Sequence, residues 1–143
     1  TGKEKIIANV LKQQKADGSW TSQSYQNIEI LKGLSLYYNS TQDQNVLNSI
    51  KKGSKWLSEN QNSEGMFTDD GSTASYGINH YADAVLVYYT AGNKNSMEKT
   101  LNYINNSNLD TDINPLKSYL TLISDLSIIY GEDAAIKFSN RIL

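Results

Sequence analysis

Gln14-Lys15-Ala16-Asp17-Gly18-Ser19-Trp20 and Gln61-Asn62-Ser63-Glu64-Gly65-Met66-Phe67 are one phrase written twice. Each runs glutamine, three residues ending in an acid, glycine, one residue, aromatic. The two glutamines stand 47 residues apart, and so do the two glycines. A third copy is worn but in register. Val10, Leu57 and Ile104 recur at the same interval, as do Asn9, Trp56 and Tyr103, and Asn108 and Asp112 stand where glutamine and glycine stood. Self-similarity at such a period marks stacked supersecondary units, each burying its apolar face against the next.

The segments before the phrases, 3–15, 44–60 and 95–107, carry narrow apolar stripes. Val46, Ile50 and Leu57 lie at helical spacing among Lys51, Lys52 and Lys55, and Met97, Leu101 and Ile104 repeat the arrangement. A narrow stripe with a charged remainder predicts a helix covered on one side. The segments after the phrases, 25–38, 76–91 and 115–130, are apolar most of the way round. Tyr81, Ala82, Ala84, Val85, Leu86, Val87, Tyr88 and Tyr89 are the clearest run. Such helices are packed on several sides. The predicted fold is all-α: three helical hairpins, outer helix then inner, and a seventh helix from Glu132. It fills one domain, 1–143, with repeats at about 3–43, 44–93 and 94–131 and a fourth begun at 132–143.

Local signals agree with this division. Gly18, Gly65, Gly92 and Gly131 follow helices as left-handed C′ glycines do. Asp43 and Asn45 suit the start of the third helix, and Pro115 suits the first turn of the sixth. The loop 66–75 is longer than its counterpart after Trp20, so the inner helices align at 51 residues where the outer ones align at 47.

Composition removes several function classes. The net charge of −2 gives no electrostatic reason to expect nucleic acid. No apolar run reaches membrane-spanning length. With no cysteine, disulfides, thiolate nucleophiles and cysteine-ligated zinc are all excluded. A cysteine-free chain fits an intracellular protein or a Gram-positive surface protein equally. The opening Thr1-Gly2-Lys3 reads as a piece cut from a longer polypeptide.

The second copy continues upstream as Lys52-Gly53-Ser54-Lys55-Trp56-Leu57-Ser58-Glu59-Asn60-Gln61, then Gly65-Met66-Phe67. This resembles the QW repeats of the squalene-hopene cyclases, whose repeat family includes the protein prenyltransferase β subunits. The match departs only in Phe67 for the final tryptophan. The first copy has Ile6 for glycine and Asn9 for the aromatic, and the third keeps only Lys99, Tyr103 and Ile104. The resemblance implies an (α/α) toroid, inner helices ringed by outer ones, in which Gln14, Trp20, Gln61 and Phe67 hold the fold. A full ring takes about six hairpins, so three copies make half a ring or an open arc.

The cyclases protonate substrate with Asp-x-Asp-Asp. Asp110-Thr111-Asp112-Ile113 lacks the last acid, and its acids are expected to cap the following helix. Asp69-Asp70-Gly71 reads as turn chemistry. The zinc site of the prenyltransferases needs a cysteine and cannot form. No cofactor or metal is implied, and no complete catalytic motif points to an enzyme. One pattern remains. Glu29, His80 and Thr121 are repeat equivalents, as are Lys32, Asp83 and Ser124, with Asp125 beside them. These polar residues interrupt apolar inner helices at i, i+3 spacing and should form one stripe across the concave surface. The stripe suits either solvation of an open face or a binding site. The expected function is therefore a non-catalytic helical repeat domain binding a small molecule or protein, within a larger bacterial surface or secreted protein. Self-association or packing against further repeats would cover the open face. The competing expectation is a fragment or degenerate relative of a class II terpene cyclase.

Overall fold

A computed structural model describes all of residues 1–143. Seven α-helices follow in order: α1 (Gly2–Gln13), α2 (Ser24–Thr41), α3 (Gln44–Glu59), α4 (Ile78–Ala91), α5 (Lys94–Asn105), α6 (Pro115–Tyr130) and α7 (Glu132–Arg141). The fold is all-α. The only strands, β1 (Thr68–Asp69) and β2 (Ser72–Thr73), form a hairpin in the lengthened loop before α4. Asp70 and Gly71 turn it, both at positive φ, as a two-residue hairpin turn of matching twist requires.

Helix α4 is the centre of the packing. Every residue from Tyr81 to Tyr88 is buried, which is the all-round apolar coverage its sequence announces. It lies between α2 and α6, with α3 and α5 against it as well. Helix α3 also packs on α2, and α7 packs on α6. The three apolar helices thus form a row, α2–α4–α6, with the narrow-striped helices flanking it. Val85 and Leu126 are buried as the inner assignment demands, while Met97 of α5 is only half-buried. Val46 is also fully buried, because the stripe of α3 is seated against two helices. Helix α1 buries no residue completely and leans Ile7, Val10 and Leu11 on the core.

The tight hairpins are central helix then flanking helix: α2/α3 turn at Gln42-Asp43, α4/α5 at Gly92-Asn93, and α6/α7 at Gly131. The period is that of the sequence, but the hairpin begins half a repeat later than an outer-then-inner reading places it. Asp43 caps α3, accepting from Asn45 N at 2.9 Å and Val46 N at 3.4 Å. Pro115 is the first residue of α6. Gly92 is a left-handed cap, whereas Gly131 combines φ 90° with ψ 160°, an extended geometry that throws the chain directly into α7.

The repeated phrase folds into the same object twice. Lys15 N donates to Ser19 O at 2.8 Å, and Asn62 N to Met66 O at 2.9 Å. Gly18 N and Gly65 N each close a turn onto Lys15 O and Asn62 O at 3.0 Å. The Gln14 and Gln61 amides donate to Gly18 O and Gly65 O, both at 2.8 Å. Gly18 and Gly65 sit at φ 96° and 91°, which side-chain-bearing residues avoid. Each also touches the next flanking helix. A Cβ on Gly18 would lie 2.3 Å from Lys52 O, and one on Gly65 would lie 3.1 Å from Lys99 O, the repeat equivalent.

The same amides cross to those helices. Gln14 Nε2 reaches Ser49 O of α3 at 3.0 Å, and Ser49 Oγ returns a bond to Gln14 Oε1 at 2.8 Å. Gln61 Nε2 reaches Thr100 Oγ1 of α5 at 3.0 Å, and that hydroxyl donates to Ser96 O at 2.7 Å. Ser49 and Ser96 are equivalent, as are Gly53 and Thr100. Where the repeat has glycine the amide reaches the carbonyl directly; where it has threonine the hydroxyl stands between. Gln61 Oε1 also accepts from Tyr88 Oη of α4. The aromatics diverge: Phe67 is fully buried on Tyr81, with ring centroids 4.8 Å apart, while Trp20 and Trp56 are half-buried. Trp20 Nε1 bonds Val10 O at 2.8 Å and ties its loop back to α1.

Gln61→Ala should destabilise by about 2–3 kcal/mol, because it strands the buried Tyr88 hydroxyl as well as losing the loop contacts. Gln14→Ala, whose partners are less buried, should cost about half as much. Urea denaturation midpoints of the two variants check the order.

Candidate functional site

Three central helices each contribute one charged side chain to a single cluster. Lys32 projects from α2, Asp83 from α4 and Asp125 from α6. The repeat dictates their meeting, since Lys32 and Asp83 are equivalent positions on neighbouring helices. Lys32 Nζ donates to Asp83 Oδ1 at 2.7 Å and lies 3.4 Å from Asp125 Oδ1. Asp125 is fully buried, and neither of its carboxylate oxygens has a well-aligned hydrogen-bond partner. Asp83 is buried, and Lys32 keeps part of its side chain in solvent.

The environment sets the protonation. Burial, then the neighbouring carboxyl of Asp83, push the Asp125 carboxyl up to about 8, against the opposing pull of Lys32. Two buried carboxyls beside one ammonium cannot both ionise cheaply, so they hold a proton at neutral pH. Burial works against the Lys32 ammonium, but the bond and charge of Asp83 and the charge of Asp125 outweigh it, and the group lies above its ordinary value.

His80, one turn before Asp83 on α4, is half-buried beside Tyr25 and Tyr76, with ring centroids 6.0 Å and 5.4 Å away. Burial lowers its pKa, only partly offset by Asp83 and Glu29, and its Nδ1 has no partner. Tyr76 Oη donates to Asp69 Oδ2 at 2.6 Å and accepts from Tyr25 N at 3.1 Å. Burial, then Asp69, raises the Tyr76 hydroxyl well above its ordinary value.

Of the stripe expected from sequence, Lys32, Asp83 and Asp125 are joined by contact, and His80 stands within electrostatic reach of Asp83 and of Glu29. Thr121 is half-buried and Ser124 exposed on α6, and neither hydrogen-bonds to the cluster. Glu29 is exposed on α2. Below the cluster the same helices turn apolar. Leu36, one turn beyond Lys32, joins Tyr38, Leu86, Tyr89, Thr90 and Ile128 around a groove of about 340 Å³. Sequence reasoning did not place this groove; Leu36 and Ile128 are repeat equivalents, and that register was the available signal.

Asp69 and Asp112 prove to be neither turn residues alone nor an acid motif. Asp69 Oδ1 accepts from Ser24 N at 2.9 Å, the first amide of α2. Asp112 Oδ1 accepts from Ile78 N at 2.9 Å, the first amide of α4, and its Oδ2 takes Ser118 Oγ at 2.6 Å and Asn114 N at 3.1 Å. Each caps the central helix of the repeat before it, where the sequence suggested the following helix for Asp112 and a turn for Asp69. Asp110 is exposed in a short 3-10 turn, Leu109–Thr111.

No protein-family model, curated protein or solved structure matches the chain. No helix is long and apolar enough to cross a membrane. The acid pair has no third metal-ligating side chain arranged with it.

The raised Asp125 carboxyl makes stability pH-dependent in a stated direction. The folded state binds this proton up to about pH 8, the unfolded chain only to about pH 3.8. Stability from this group is therefore complete below pH 3.8 and is lost as pH rises to about 8. Asp125→Asn should flatten the denaturation midpoint over that window and raise it most at pH 8. Lys32→Met leaves the acids without a cation and should destabilise by about 2–3 kcal/mol at pH 8, less at pH 5. Chemical denaturation of both variants across pH 4–8 checks the two slopes.

Proposed function

We propose that this is a non-catalytic helical repeat domain of the (α/α) toroid type, an open arc whose α2–α4–α6 face binds a ligand or a partner protein. The observation that carries the reading is continuity: the Lys32–Asp83–Asp125 cluster and the apolar groove lie one helical turn apart on the same three helices. A concave apolar surface with a few convergent polar groups is the usual form of a binding site. With Asp125 protonated, Glu29 and Asp83 outnumber Lys32, and Tyr25 and Tyr76 add aromatic surface. The face suits an amphipathic occupant with an apolar body and a positive end. We place the domain within a larger bacterial surface or secreted protein, a setting that the cysteine-free composition permits.

The competing reading, a degenerate class II terpene cyclase, rests on Asp125, since a carboxyl protonated at neutral pH is what proton donation requires. Its carboxyl has no solvent-accessible surface, however, and would not meet a substrate without separation of α4 and α6.

Octylammonium tests the binding reading, with octanoate as the charge-reversed control. Amide resonances of Leu36, Tyr89 and Ile128 should shift on titration with octylammonium and shift less with octanoate. Tyr89→Asp, at an exposed position in the groove, should weaken the response several-fold. Shifts confined to other surfaces would sink the proposal. Incubation with squalene should give no cyclic product by mass spectrometry; a cyclic product would favour the cyclase reading.

A further inference from the structure

The row of central helices has an unfinished side, which meets the groove described above at Ile128. On α6, Leu116 is 72% exposed, Leu120 56% and Ile128 45%, with Ile113 just before them at 60%. They follow one another at helical spacing, with the small Ser124 between. Isolated apolar side chains on a surface are ordinary, but a contiguous stripe marks an interaction site.

The repeat says what such a stripe is for. Ile28 on α2, Asn79 on α4 and Leu120 on α6 are equivalent positions. Ile28 is fully buried in the core that α2 shares with α4. Asn79 is buried, and its backbone amide donates to Ser118 Oγ of α6 at 3.0 Å. Lys32, equivalent to Ser124, bonds α4. In these two sets the α2 and α4 members face the next central helix and the α6 member faces solvent, whereas Leu36, the counterpart of Ile128, is itself 45% exposed at the groove. The stack α2–α4–α6 is an interface repeated twice, and the edge of α6 continues it.

A second regularity runs alongside. Neither α2 nor α4 is capped by its own N-cap side chain, and each receives an aspartate from the loop of the following repeat, Asp69 and Asp112. Helix α6 likewise has no side-chain cap, and Lys117 in its first turn adds positive charge. The first loop of this chain has Ser22 where an incoming aspartate would be needed, so a second copy does not supply the cap head-to-tail.

We infer that the α6 edge is the docking surface for a further repeat of the same type: an apolar central helix laid along Leu116 and Leu120, preceded by a loop whose acid caps α6.

The chain's own second repeat serves as the probe. A copy of residues 60–105, which carries the phrase, Asp69, α4 and α5, is joined after Leu143. Because the chain has no cysteine, Leu120→Cys gives one reporter thiol at an exposed position. In the fusion, its reaction with a soluble disulfide reagent should slow at least tenfold against the unfused variant, and the thermal midpoint should rise by about 5 °C or more. Asp69→Ala within the copied segment should reverse part of that rise. Equal thiol rates in the fused and unfused chains would overturn the inference. So would sedimentation of the unfused variant as a dimer with a protected thiol, which would make a second copy the occupant.

Discussion

The primary amide of Gln61 joins three parts of the molecule at once. It closes its own loop on Gly65, reaches Thr100 on the next flanking helix, and accepts the buried hydroxyl of Tyr88 on the central helix. A side-chain amide offers two donors and two acceptor sites in one plane, so it can hold a loop, an outer helix and an inner helix in fixed relation. Gln14 does the same with Gly18 and Ser49, lacking only the tyrosine. The spacing between repeats is set at these two points. If the loop could not approach the neighbouring helix closely, the amide would not reach, and Gly18 and Gly65 supply that approach by having no side chain.

With repeat spacing fixed, equivalent residues on successive central helices must face one another. That is why Lys32 meets Asp83 and why Asp125, one residue out of register with Ser124, falls inside the interface instead of on its surface. A fully buried carboxyl without an aligned partner costs stability at neutral pH. The same register brings Leu36 and Ile128 to either side of Leu86 and Tyr89, forming the groove below the charges. Polar and apolar parts of the candidate site are therefore consequences of one stacking geometry.

Stability is distributed unevenly along this stack. Helix α4 is enclosed by four neighbours, and the core concentrates there in Phe67, Tyr81, Tyr88 and the aliphatics around them. Helix α1 buries nothing completely, and α6 leaves an apolar side uncovered. In a linear array each unit leans on its neighbours, so terminal units are the least supported.

The sequence by itself determined the period, the helix boundaries to within a few residues, the capping by Asp43 and Pro115, and the structural role of Gln14 and Gln61. These are legible because they rest on short-range rules: apolar spacing within a helix, an acceptor before a first turn, a glycine at positive φ. It also set out the residues of the candidate site, since equivalence between repeats follows from counting. What counting could not give was depth. Lys32, Asp83 and Asp125 read as a polar stripe, solvated or ligand-binding, and only the packing of α6 on α4 decided that Asp125 is sealed from water while Ser124 and Glu29 are not. The direction of capping was likewise a tertiary matter. Asp69 and Asp112 are near in sequence to the helices that follow them, yet their carboxylates are near in space to the amides of Ser24 and Ile78, 45 and 34 residues earlier. Contacts between repeats depend on how far one unit is set against the next, and that distance is settled only when the glutamine amides, the close-approach glycines and the buried tyrosines are satisfied together.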